Sequence, residues 1–98
     1  MDDLSKVYKK TDLMVGRKID NEVVLVPIRK RSVDIQKIYN LENQTAVRSW
    51  ELIDGNRDVK TILQVLGSEF EADPAILERE TLDFIKQLTS IEAIRPTG

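Results

Sequence analysis

The chain contains no cysteine and no histidine. Without cysteine there is no disulfide, no thiolate nucleophile and no iron–sulfur ligation. Without histidine the commonest general base and most zinc sites are lost as well. Carboxylates alone could hold a hard cation, but no Asp-x-Asp-x-Asp-Gly loop occurs. A non-catalytic chain with no cofactor of its own is the expectation. Aromatics are scarce too, at 5% of residues with a single Trp. No apolar run approaches the ~18 residues of a membrane span, and Met1-Asp2-Asp3-Leu4 lacks the basic start of a signal peptide. A cytoplasmic protein that does not engage a membrane is expected.

What remains describes one small globular unit. The 98 residues are 41% hydrophobic and 33% charged. A chain of this length buries roughly 60–70% of its unfolded surface, enough for one core with little spare stability. Charge is unevenly spread: residues 1–40 carry a net +3 and residues 41–98 a net −5. That split suggests a basic sheet region and an acidic helical region, each presenting a different field to a partner.

Hydrophobic periodicity divides the chain into strands and then helices. Residues 1–10 are polar with scattered apolar side chains and read as a loose arm. Leu13, Val15, Arg17 and Ile19 alternate as a first strand from Asp12 to Ile19, and Asp20-Asn21-Glu22 is a turn signal. Val23 to Ile28 is rich in branched residues and reads as the second strand, with Pro27 at its end or on an edge. Arg29 to Asp34 is a charged link, and Ile35 to Leu41 is the third predicted strand. Short links between three strands predict an antiparallel meander.

The period then changes. Tyr39 and Leu41 share one strand face, Asn43 is a suitable N-cap, and Ala46, Trp50 and Ile53 line one helical face before Gly55. A first helix is predicted from Gln44 to Asp54. A second starts near Asp58, with Val59, Ile62, Leu63, Leu66 and Phe70 on its apolar face. Asp73-Pro74 opens a third, since Asp caps and Pro loses nothing at the first helical position. Its stripe is Leu77, Thr81, Phe84, Leu88 and Ile91, widened by Leu82 and Ile85. Ala93 to Pro96 suggests a short extended tail. The order is α+β.

The string from Tyr39 to Gly55 resembles the PqqD family (pyrroloquinoline quinone biosynthesis protein D), whose pattern runs roughly Tyr-x-Leu-Asn-Glu-Thr-Ala, then Trp-Glu-Leu-Leu-Asp-Gly. The Leu82-x-Phe84-Ile85-x-x-Leu88 run supports the resemblance, which spans most of residues 11–95. It implies a winged-helix-like fold, three antiparallel strands followed by three helices, also known as the RiPP recognition element (RiPPs are ribosomally made, post-translationally modified peptides). Two departures stand out. Glu42 intervenes between Leu41 and Asn43, which suggests a bulge or slipped strand end. Glu92 stands where the family tends to have the Gly that ends the last helix, so a turn without a left-handed Gly is expected.

By that resemblance the chain is a peptide-binding adaptor, or peptide chaperone. The leader of a precursor peptide would pair with the third strand and drop apolar side chains into a groove shared with the third helix. A radical S-adenosylmethionine (SAM) maturase, as in PQQ biosynthesis, would carry the chemistry. Residue by residue, Gln36, Lys37, Ile38, Tyr39 and Asn40 would supply the ladder, and Leu77, Thr81 and Phe84 the groove wall. The open edge could also pair two copies into a homodimer.

The competing reading is an acidic winged-helix transcriptional regulator or protein-interaction module. Arg29-Lys30-Arg31 would then be the wing, although three cations in a loop are usually solvated. From Glu69 to Asp83 six carboxylates (Glu69, Glu71, Asp73, Glu78, Glu80, Asp83) face one cation, Arg79. Duplex DNA carries a phosphate charge every ~1.7 Å and would repel such a surface. A reading helix would offer Arg, Lys, Asn or Gln to base edges, and this one does not. No nucleic-acid partner is expected.

Overall fold

Alternation and branching produce a tight hairpin at the start of the sheet. In the computed structural model, which describes residues 3–28 and 39–97, β2 (Met14–Ile19) and β3 (Glu22–Pro27) pair antiparallel from Met14↔Pro27 to Ile19↔Glu22. The two-residue link turns on Asp20, whose φ of 56° lies in the left-handed region that Asp tolerates. β4 (Tyr39–Leu41) pairs with β3 through Leu25↔Tyr39 and Val23↔Leu41, giving the order β2-β3-β4. Register is uninterrupted up to Leu41. The bulge expected at Glu42 is absent there, because Glu42 falls in the exposed link after the strand. Ile35 to Ile38 and Arg29-Lys30-Arg31 lie outside the described residues.

Three capped helices follow: α1 (Gln44–Leu52), α2 (Val59–Glu69) and α3 (Pro74–Ser90). Each begins where a short polar side chain can take orphan amides. Asn43 Oδ1 accepts from Thr45 N at 2.8 Å, Asp58 Oδ1 from Thr61 N at 2.8 Å, and Asp73 Oδ1 from Ala75 N at 2.8 Å. α1 stops two residues before the predicted Asp54. Ile53 is only 1% exposed, and reaching the core there requires an extended backbone. Asp54 then organises the next turn by accepting from Asn56 N and Arg57 N, and Gly55 takes a φ of 86° within it.

Residues 3–10, read from the sequence as a loose arm, are tied to the domain. Asp3–Ser5 form a 3₁₀ turn, and β1 (Tyr8–Lys10) pairs antiparallel with β5 (Ile94–Pro96), the predicted extended tail. Gly55 N also donates to Tyr8 O at 2.9 Å. The backbone of the N-terminal segment is satisfied by partners far away in sequence.

One core joins the two layers. Val23, Leu25 and Leu41 from the inner sheet face meet Trp50 within α1 and Ile53 just after it, Ile62 and Leu66 of α2, and Ile85 and Leu88 of α3. Trp50 is 6% exposed, as its helical phase requires. β2 is flat against its ring: a Cβ on Gly16 would lie 2.7 Å from the indole Nε1. Only glycine permits that approach. Among the described residues no helix is long and apolar enough to cross a membrane.

Candidate functional site

Period-two alternation puts Tyr39 and Leu41 on the core side of β4, and Asn40 on the opposite, exposed side. Because β4 stands at one end of the strand order, its far edge meets no further strand among the described residues. Beside that edge runs the apolar stripe of α3, in which Leu88 is buried and Phe84 and Ile91 are half-buried. Between them lies a cleft of about 260 Å³, with Leu25, Tyr39 and Leu41 on the sheet side and Phe84, Leu88 and Ile91 on the helix side. The walls are mostly apolar. Gln87 and Ser90 are the polar residues at its margin. An open strand edge next to a row of apolar side chains can accept an extended peptide, through main-chain hydrogen bonds and alternate side chains in the cleft.

A second hollow of about 310 Å³ adjoins it between α1 and α3, and Phe84 and Gln87 line both. Ala46 and Ser49 of α1 face Glu80, Thr81 and Asp83 of α3 across it. Ser49 is buried and returns its hydroxyl to Thr45 O at 2.8 Å, so its polarity is spent locally.

The predicted site residues separate under this geometry. Tyr39 and Phe84 meet in the apolar cleft, whereas Thr81 lines only the second hollow. Asn40 lies on the strand but faces away. Leu77 is 5% exposed and belongs to the core, lining neither hollow. Gln36, Lys37 and Ile38 lie outside the described residues. Leu88, Ile91, Leu41 and Gln87 were not singled out for the groove. The signal was available: Leu88 and Ile91 follow Phe84 by four and seven positions, one face of the same helix. Among the described residues no group of three acidic side chains could hold a metal ion.

Away from the cleft, Lys10 serves the fold. Its Nζ sits 4.8 Å from the Trp50 ring centre and donates to Ile53 O at 2.7 Å. Burial pushes its pKa down, and the carboxylates of Asp54 and Glu51 partly oppose this. The ammonium caps an α1 carbonyl region that water would otherwise have to satisfy.

The chain has a counterpart among known families. The chain matches the model of the family described as Coenzyme PQQ synthesis protein D (PqqD) over residues 22–94. The chain belongs to the PqqD family. The match begins at β3, so β1 and β2 lie outside it although the resemblance was expected from residue 11. Among solved structures, the PqqD-family fold seen here is similar to one described as TbiB1 in complex with the TbiA(beta) leader peptide. The two are 24% identical, with 92% of this chain and 98% of that one covered and a TM-score of 0.74. At that identity the likeness is one of fold. No curated protein matches the chain.

Proposed function

We propose that this PqqD-family protein is a non-catalytic adaptor. It holds the leader of a ribosomally made precursor peptide as a strand added to β4 and presents it to a modifying enzyme of the radical SAM type. The observation that carries this reading is the open edge of β4 beside the Tyr39–Phe84 cleft. Main-chain ladder bonds supply affinity along the edge, with Gln36 to Asn40 as the donors and acceptors, and the cleft selects an apolar leader side chain. Family membership supports the same role, as does the similar fold described in complex with a leader peptide. The exposed positions of α3 carry Glu78, Glu80 and Asp83 together with Arg79 and Lys86, a net negative set better suited to peptide and protein contacts than to phosphate.

The test is calorimetric titration of a synthetic leader from the precursor gene beside its own. Successive residues of a strand point their N–H groups to opposite sides. One of Tyr39→Pro and Asn40→Pro therefore removes an outward donor and abolishes binding, while the other breaks the ladder to β3 and lowers the melting temperature. Asn40→Ala should bind nearly as wild type, because the contact is backbone. Full-strength leader binding by both proline variants, each folded, moves the peptide off β4.

A further inference from the structure

The hollow between α1 and α3 differs in chemistry from the cleft it adjoins. Glu80 and Asp83 line it, and no cationic side chain does. Neither carboxylate joins an ion pair among the described residues, whereas Glu51, Asp54 and Glu69 each do. The N-terminus of α1 is near, but its first amides are engaged by Asn43 Oδ1 at 2.8 and 3.2 Å. A helix end is worth about half a charge at most, against two full ones here. The lining is therefore net negative, while Arg79 and Lys86 share a neighbouring hollow with Asp83 and do not line this one.

A second observation is independent of those carboxylates. Thr81 lines the hollow, is 3% exposed, and its Oγ1 has no hydrogen-bond partner among the described residues. Other hydroxyls on these helices bond back to a carbonyl one turn earlier: Ser49 to Thr45 O and Thr89 to Ile85 O, four residues back, and Ser68 to Val65 O and Ser90 to Gln87 O, three residues back, all at 2.8 Å. The buried Thr81 hydroxyl makes no such bond. Orphaned buried hydroxyls are uncommon and call for a partner.

Resting on the leader-binding reading, we propose that this hollow is a second subsite of the same groove and takes a lysine or arginine side chain of the bound peptide. Phe84 and Gln87 are shared by both hollows, so an extended peptide that fills the first runs directly into the second. Same-face side chains of a strand are about 6.8 Å apart, so the basic residue falls two to four positions from the apolar one. A cationic head brings several donors for the two unpaired carboxylates, and the buried Thr81 hydroxyl beside them is an unused acceptor. The apolar cleft sets affinity, and the acidic hollow sets which leaders are accepted.

The experiment is a double-mutant cycle by calorimetry. The probes are the synthetic leader encoded beside the gene and versions with each Lys or Arg changed singly to Met. The proteins are wild type, Glu80→Gln/Asp83→Asn, Thr81→Val and Phe84→Ala. One Lys or Arg change should weaken binding at least tenfold in wild type and less than twofold in Glu80→Gln/Asp83→Asn. Raising salt should weaken wild type more than that double variant, and Thr81→Val should narrow the Lys-over-Met preference without lowering the melting temperature. The proposal is overturned by a leader with no basic residue within four positions of its apolar anchor. It is equally overturned if the charge-removing variants bind every peptide as wild type does. In either case binding that still depends on Phe84 leaves the adaptor reading standing. A leader that fails to bind wild-type protein at all overturns that reading and this one with it.

Discussion

Trp50 and Phe84 are both helical aromatics in step with apolar stripes, yet one is sealed and the other stands open. Around Trp50 every direction is occupied. Gly16 lies flat on the indole, Lys10 covers its face, and the ring is 6% exposed. Phe84 is only partly buried and stands between two hollows. The difference comes from what each helix meets. α1 packs against a sheet whose facing residue has no side chain, whereas α3 faces the short strand β4 across a cleft. Stability is concentrated at the first aromatic, and room for a ligand at the second.

The sharpest way to break this contrast is to empty the sealed site. Trp50→Ala should cost about 3–5 kcal/mol, the range for removing a large buried aromatic. A domain of this size has only about 5–15 kcal/mol in total, so circular dichroism should show it largely unfolded or melting far below wild type. Gly16→Ala attacks the same contact from the sheet. The added methyl would lie under 3 Å from the indole, so ring or strand must move. Overpacking of that kind costs typically about 1–3 kcal/mol. A Gly16→Ala protein melting with wild type would mean that the Trp50 pocket is slack.

Phe84→Ala should behave in the opposite way. Its side chain is partly exposed, so truncation should cost less than about 2 kcal/mol, below the full-burial range. Leader affinity should fall at least tenfold, about 1.4 kcal/mol. A variant that loses stability on the scale of Trp50→Ala while keeping its affinity would make Phe84 core and erase the distinction.

How much of this was legible in the sequence depended on the range of the interaction. Asn43, Asp58 and Asp73 cap their helices because a cap acts over two or three residues, and local spacing reveals it. Trp50 was placed inside by period alone. The pairing of Tyr8–Lys10 with Ile94–Pro96 joins the two ends of the chain, and no local pattern announces it. The α3 stripe was visible, but Leu77 and Phe84 look alike in sequence. What separates core from groove is where α1 and β4 happen to end, which is a tertiary fact.

The end of α3 offers a smaller, stabilising test. Ala93 N donates to Leu88 O at 2.9 Å and Glu92 N to Thr89 O at 3.0 Å, the two bonds of a Schellman turn. Glu92 itself takes a φ of 64°. The expected turn without a left-handed Gly thus keeps the left-handed backbone and lacks only the glycine. Buried Ala93 and Leu88 hold the geometry against the Cβ penalty. Glu92→Gly should remove a strain of about 1 kcal/mol, partly offset by the greater freedom of glycine in the unfolded chain. A melting temperature a few degrees higher, with leader affinity unchanged, is the expected outcome. A lower one would show that the Glu92 side chain contributes more than its backbone costs.

The smallest effect concerns pH and lies on the sealed side of the molecule. Asp58 is held below the usual carboxylate range by the Thr61 side chain and backbone amide, and Asp54 by the amides of Asn56 and Arg57. A carboxylate whose folded pKa lies below its unfolded value of about 3.9 stabilises fully above that value, and the contribution is lost as pH falls through the folded pKa. Melting temperature should therefore be level from about pH 7 to pH 5 with respect to these two groups and decline below about pH 4. Asp58→Asn keeps a good cap but cannot titrate, so its decline should be shallower while its melting temperature near neutrality changes little. Leader binding should be indifferent to this variant, because Asp58 caps α2 away from β4 and Phe84. An equally steep decline in Asp58→Asn would assign the acid sensitivity to other carboxylates, with Asp54→Asn as the next to be measured.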